Sequence, residues 1–141
     1  MTYPGVDLVY IPRFKNWATY SNEQLLTLFS EAEVLAYRQK KENAEQFLAS
    51  RFAVKEAFYK AISNLCAENL KITPFSLRAI ARFVEIKPHP RWQTPEIKYD
   101  AVGFTATVGT QLPPFKASVT ISHENEYALA YVFVEPLLNQ S

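Results

Sequence analysis

From Glu45 to Ile62 the chain contains neither glycine nor proline and is rich in helix formers, which predicts one long helix that the rest of the fold must accommodate. Residues four apart share a helical face, so Glu56 and Lys60 are neighbours. Ala49 and Ala53 occupy the same stripe, earlier on the helix. Phe47, Phe58 and Ile62 lie opposite, and Leu48, Phe52 and Tyr59 form a flank between them. Bulk therefore surrounds most of this helix. One stripe carries an acid, a base and two small residues that let a ligand or another backbone approach. A plain surface ion pair would explain Glu56 and Lys60 but not the alanines beside them.

The flanking sequence places this helix in an α+β chain. Residues 6–11 read as a strand ended by Pro12, which cannot donate to a ladder. Ser21-Asn22-Glu23-Gln24 and Ser30-Glu31-Ala32-Glu33 are capping-box patterns, each opening a helix, the second running toward Lys41. Pro74, Pro88, Pro90 and Pro95 exclude a second long helix. Strands are expected near 81–87 and 95–100 with a loop over 88–94, while Val102–Gln111 fits either a strand or a short helix. Lys116–Ser122 alternates and Tyr127–Val134 is rich in β-formers, a hairpin with His123-Glu124-Asn125-Glu126 as its turn. Helices first and strands last argue for an antiparallel sheet packed with the long central helix.

Length and composition narrow the function classes. A chain of 141 residues, 48% hydrophobic and 21% charged, reads as a single globular domain spanning 1–141. Aromatic residues make up 14%, so much of the core should be Phe and Tyr. The net charge of +1 offers no general field for nucleic acid or membrane, and any anionic partner must meet a local basic cluster. Cys66 is the only cysteine, which rules out an internal disulfide and a cysteine-based zinc site. No secretory signal is visible and the Tyr127–Val134 run is too short to span a bilayer, so a cytoplasmic protein is expected.

Three short segments carry chemistry. In Gly5-Val6-Asp7, strand alternation puts Asp7 on one face with Val9 and Ile11, where a carboxylate is costly unless paired or holding a cation. The alternative is that this face is exposed, or that Asp7 caps a turn. The second segment is the Glu56/Lys60 stripe. The third is Ser122-His123-Glu124, where His123 leaves an apolar strand face at a turn. A ring merely packed there is the alternative. Together, two carboxylates able to hold Mg²⁺ and a lysine and histidine able to meet phosphate form an inventory for phosphoryl transfer.

These segments resemble the holo-acyl-carrier-protein synthase branch of the 4′-phosphopantetheinyl transferases. Members open with a G-x-D strand followed by an arginine, as Gly5, Asp7 and Arg13 stand here. Their central helix motif F-L-A-x-R-F-A-x-K-E-A-x-x-K-A is matched by Phe47 to Ala61, and a terminal S-H-x-x-x-Y-A by Ser122, His123, Tyr127 and Ala128. The resemblance implies the transferase fold and transfer of 4′-phosphopantetheine from coenzyme A to a serine of an acidic acyl carrier protein. It implies Asp7 and Glu56 as Mg²⁺ ligands, and Lys60 and His123 as the groups that meet the coenzyme A phosphates. Arg51 would serve the nucleotide end, and Arg13, with Lys15 beside it, would dock the carrier. The cluster Arg38, Lys40 and Lys41 reads instead as a solvated helix end. Small members are homotrimers with sites between subunits.

The chain also departs from the pattern. Ile62-Ser63-Asn64-Leu65-Cys66 stands where the family has a glycine-rich turn, and His89–Pro95 where it has a G-K-P hairpin. The proton of the carrier serine would pass to Glu56 or to a metal-bound water; the sequence leaves both open. A paralogue that binds carrier or nucleotide without transferring is the alternative function.

Overall fold

In the computed structural model, which describes residues 1–69 and 75–137, the first strand β1 (Tyr3–Tyr10) buries every second residue. Tyr3, Gly5, Asp7 and Val9 face inward, and Pro4, Val6, Leu8 and Tyr10 face outward. Asp7 is therefore on the core side, not on an exposed face. The strand ends before Pro12, which instead lies in the first turn of a 3₁₀ helix, Ile11–Thr19, where a missing N–H is harmless. Both capping boxes form: Ser21 with Gln24 opens α1 (Asn22–Leu25), and Ser30 with Glu33 opens α2 (Glu31–Gln39).

The long helix α3 (Ala44–Asn69) outruns its predicted end at Ile62, because nothing between Ile62 and Cys66 breaks it. After α4 (Leu77–Ile80) and a 3₁₀ turn (Ala81–Phe83), strands β2 (Val84–Pro88) and β3 (Pro95–Tyr99) pair as a separate hairpin. The ambiguous stretch is helical, α5 (Ala101–Val108), stopped by Gly109 at a left-handed φ of 81°. Strands β4 (Phe115–Glu124) and β5 (Tyr127–Pro136) form the expected hairpin. Its turn is only Asn125-Glu126, with Asn125 at φ 54°, so His123 stays in the strand instead of joining the turn. Pro74 lies outside the described residues.

The main sheet is antiparallel in the order β1-β5-β4. Register pairs Gly5 with Val132 and Asp7 with Ala130. The helix α3 lies across β1 and β5, whose inner residues Ala128, Ala130, Val132 and Val134 are fully buried. The core is aromatic, as the composition required. Phe14, Trp17, Phe29 and Phe52 cluster on one side, and Phe58, Tyr99, Phe104 and Phe115 on another.

A buried ion pair fixes the other side of α3. Lys55 and Glu33 are 1% and 3% exposed, and their charges meet at 2.8 Å. The Lys55 ammonium also donates to the carbonyls of Ala81 (2.7 Å) and Val84. Glu33 accepts from Ser30 N–H at 3.0 Å and from Ile86 N–H at 3.4 Å. The α2 capping residue thereby ties α2, α3 and the start of β2 together. Lys55, adjacent to Glu56 in sequence, is fully committed to the fold.

On the sheet side, α3 and β1 cross at backbone distance. A Cβ on Gly5 would lie 1.9 Å from the Ala57 carbonyl oxygen and 3.0 Å from the Ala61 nitrogen. Helix backbone cannot rotate away as a side chain can. Gly5→Ala should therefore destabilise the chain by about 3 kcal/mol or more, at or above the usual cost of overpacking. Urea denaturation measures this; a loss below about 1 kcal/mol would show that the crossing yields easily.

Candidate functional site

The crossing sets the positions of three polar side chains. Two residues beyond Gly5, Asp7 points at the helix from the same face of β1. Glu56 precedes Ala57, the residue whose carbonyl meets Gly5, and Lys60 follows one helical turn after Glu56. The Lys60 ammonium donates to Asp7 Oδ1 at 3.1 Å and to the Val6 carbonyl at 3.0 Å. Half of Lys60 stays exposed while Asp7 is buried. Ala49 and Ala53, on the same stripe, are buried with no exposure at all. They serve helix-to-sheet packing and not a ligand.

The acid pair is the unusual feature. Asp7 Oδ2 is buried without a hydrogen-bond partner among the described residues. Burial pushes the Glu56 carboxyl up to about 7, and its hydrogen bond with Asp7 and repulsion from that charge push the same way. Lys60 and Arg13 pull it back in part. Two carboxylates thus face each other with too little positive charge between them.

Arg13 stands beside this pair on the 3₁₀ helix, exposed, its guanidinium 5.1 Å from the ring centroids of both Phe14 and Phe52. Lys15 is exposed on the same helix.

Arg51 and His123 lie elsewhere. The span from Gln46, which approaches His123 Nε2 at 3.1 Å through its own Nε2, to Glu56 is about 15 Å of helix. In one chain, therefore, the structure brings Asp7, Glu56, Lys60 and Arg13 together and leaves His123 apart from them, while Arg51, five residues before Glu56 on α3, lines the cleft of His123. Those two share a cleft of about 400 Å³ with Lys40 and Lys87 and the single acid Glu42. The Arg51 guanidinium stacks 4.2 Å over Phe47, and Lys40 reaches 5.2 Å from the same ring. Burial lowers the Arg51 pKa, with Glu33 opposing the shift. Arg51 Nε is buried without a partner among the described residues.

Two residues of this cleft were not singled out by sequence. Lys40 belongs to the cluster read as a solvated helix end, and Lys87 is a lone lysine near a strand end; neither carries a local signal. Arg38, from the same cluster, has a structural task. It donates to Asn22 Oδ1 at 2.9 Å, to the Ala18 carbonyl at 3.1 Å and to the Tyr20 carbonyl.

The geometry predicts a pH dependence. Glu56 titrates near 7 when folded and near an ordinary 4.5 when unfolded. The folded chain therefore holds more protons between these values, and stability falls as pH rises through that window. In a chelator-containing buffer, Glu56→Gln should be more stable than the wild type above pH 7, and the gap should close below about pH 4.5. Denaturation curves that stay parallel across this range would contradict the raised carboxyl.

Known proteins resemble this chain over most of its length. The family model described as the 4′-phosphopantetheinyl transferase superfamily matches residues 3–132. A holo-[acyl-carrier-protein] synthase of Borrelia garinii is 30% identical over 132 residues, covering 93% of this chain and 96% of the relative. One from Treponema pallidum is 32% identical over 138 residues, covering 93% of each. Among solved structures, an acyl carrier protein synthase of Mycobacterium tuberculosis is 27% identical, with a TM-score of 0.64 and coverage of 96% and 97%. A synthase–CoA complex from Chronobacterium ammoniagenes superposes with a TM-score of 0.70 over 98% of this chain and 99% of that one; at 23% identity it attests the fold. Among the described residues, no helix is long and apolar enough to cross a membrane.

Proposed function

This chain belongs to the 4′-phosphopantetheinyl transferase superfamily, and from that premise we propose that it moves 4′-phosphopantetheine from coenzyme A to a serine of an apo-acyl carrier protein. The whole of residues 1–141 acts as one transferase domain. The observation that carries the reading is the carboxylate pair of buried Asp7 and half-buried Glu56, with Lys60 on one Asp7 oxygen and the other lacking a partner among the described residues.

That pair fits Mg²⁺. The donors are carboxylate oxygens, and no group of three or more His, Cys, Asp or Glu gathers among the described residues. Two protein oxygens suit a cation that keeps waters and takes further ligands from substrate phosphates, and not a closed zinc site. When bound, Mg²⁺ supplies charge neutralisation at the pyrophosphate. The chain's own residues do the rest. Lys60 is held on the Val6 carbonyl and Asp7, with half its surface open to meet phosphate oxygens. Glu56 accepts the proton of the carrier serine. The serine oxygen forms a bond to the pantetheine-side phosphorus while the bond to adenosine 3′,5′-bisphosphate breaks, and Lys60 offsets the leaving charge. Arg13 and Lys15, exposed beside the acid pair, meet the acidic carrier.

A single chain holds these parts in two places, and its sheet has an uncovered apolar face. Val6, Leu8 and Tyr10 of β1 with Leu129, Tyr131 and Phe133 of β5 stand out from that face. A patch of this kind marks an interaction surface. We therefore take the working form to be a homotrimer in which the cleft of Arg51 and His123 on one protomer serves the acid pair of the next. Cys66, the one cysteine, is buried and unpaired, in keeping with a cytoplasmic setting.

The test is to incubate the protein with coenzyme A, Mg²⁺ and an apo-carrier and weigh the carrier. One added phosphopantetheine per carrier is expected, with Asp7→Ala and Glu56→Ala each slowing transfer about a hundredfold or more. Wild type that binds coenzyme A yet leaves the carrier unmodified would identify a binding paralogue. Near-normal turnover in either variant at saturating Mg²⁺ would remove the acid pair from the mechanism.

A further inference from the structure

Two elements distant in sequence meet through one side-chain contact at the cationic cleft. His123, near the end of β4, places its ring Nε2 3.1 Å from the carboxamide nitrogen of Gln46, in the first turn of α3 and 77 residues earlier. Among the described residues this is the ring's one hydrogen bond. The Gln46 backbone is itself tied down, because the Ser50 hydroxyl donates to its carbonyl at 2.7 Å. The charged groups around the ring are Lys40, Glu42, Arg51 and Lys87 of the same cleft and Glu124, the next residue of β4. An amide nitrogen only donates. The ring Nε2 therefore accepts, and the neutral imidazole carries its single proton on Nδ1.

We propose that Gln46 is a positioning residue for His123: it holds the ring by Nε2 and so presents an Nδ1–H to a phosphate of coenzyme A whether the ring is neutral or charged. The inference rests on the transfer reading above, in which His123 meets that phosphate, and adds which nitrogen does so and what fixes it. A carboxamide suits the task because it has both a donor and an acceptor. With Nε2 bare, its N–H donates. With the ring protonated at both nitrogens, the amide turns over and its oxygen accepts. Nδ1 bears a proton in either state. A carboxylate in the same place can only accept. It would draw the neutral ring's proton to Nε2 and leave a bare Nδ1 facing the phosphate, one lone pair against another. A hydrocarbon would leave the ring without an anchor. Lys40, Arg51 and Lys87 already supply positive charge. The ring adds an N–H of fixed direction.

Gln46→Glu and Gln46→Leu put strong helix formers at a partly exposed position of α3, so both variants should fold. His89 is the only other histidine, and the spectrum of His123→Ala identifies the ring signals. Ring-nitrogen NMR of the protein without coenzyme A should place the neutral proton on Nδ1 in the wild type and on Nε2 in Gln46→Glu. Gln46→Leu should give a mixture of the two forms. The KM for coenzyme A supplies a second readout. Its ratio between Gln46→Glu and the wild type at each pH cancels the titration of the ligand's own phosphates. That ratio should climb about three- to tenfold from about pH 5.5 to about pH 8.5, because deprotonation of the ring removes the Nδ1–H in the variant alone. A wild-type proton on Nε2, an unmixed Nδ1 proton in Gln46→Leu, or a flat ratio in Gln46→Glu would overturn the assignment while transfer by the wild type still stood. A wild type that fails to bind coenzyme A would overturn it together with the transfer reading.

Discussion

The contact on which this structure depends is the backbone-to-backbone crossing of α3 over β1 at Gly5. With a Cβ there, the helix would have to lift off the sheet, since the Ala57 carbonyl occupies the space. The small inner residues Ala128 and Ala130 of β5 and Ala53, Ala57 and Ala61 of α3 are all fully buried in the same layer. Close approach brings an acid on the strand within reach of an acid and a lysine on the helix. A looser crossing would leave Asp7 solvated and Glu56 an ordinary surface carboxylate.

Adjacent residues of α3 show how burial separates structural charge from functional charge. Lys55 and Glu33 are both buried, yet the ammonium meets three oxygens and the carboxylate two N–H groups. Nothing is left over, and the pair holds three elements in register. Next to it, Glu56 and Asp7 form a pair of acids with one oxygen lacking a partner among the described residues and a carboxyl raised to about 7. Perturbed acids of this kind cluster at functional sites.

What the sequence made legible was local. Gly- and Pro-free composition marked α3, the serine capping boxes marked α1 and α2, and alternation marked the closing hairpin. Asp7, Glu56 and Lys60 could be named because strand and helix periodicity each place one side chain at a time. What needed the structure was non-local. That Glu33, read only as a cap, is the counter-ion of Lys55 depends on a contact between two helices. That His123 stands apart from the acid pair depends on the strand order β1-β5-β4, which no periodicity reveals. The continuation of α3 to Asn69 was obscured because departure from a familiar motif says what is missing without saying what replaces it.

The central claim is that one chain holds two incomplete halves of a site that assembly joins. It is tested most directly by mixing inactive halves. Asp7→Ala and His123→Ala proteins, each weak alone, are unfolded together in equal amounts, reassembled and assayed for phosphopantetheine transfer. If each site takes Asp7 from one protomer and His123 from its neighbour, random assembly leaves about a quarter of the sites intact, and about a quarter of wild-type activity should return. No recovery in oligomers shown to contain both variants, or full activity in a protein that light scattering finds monomeric, would contradict it.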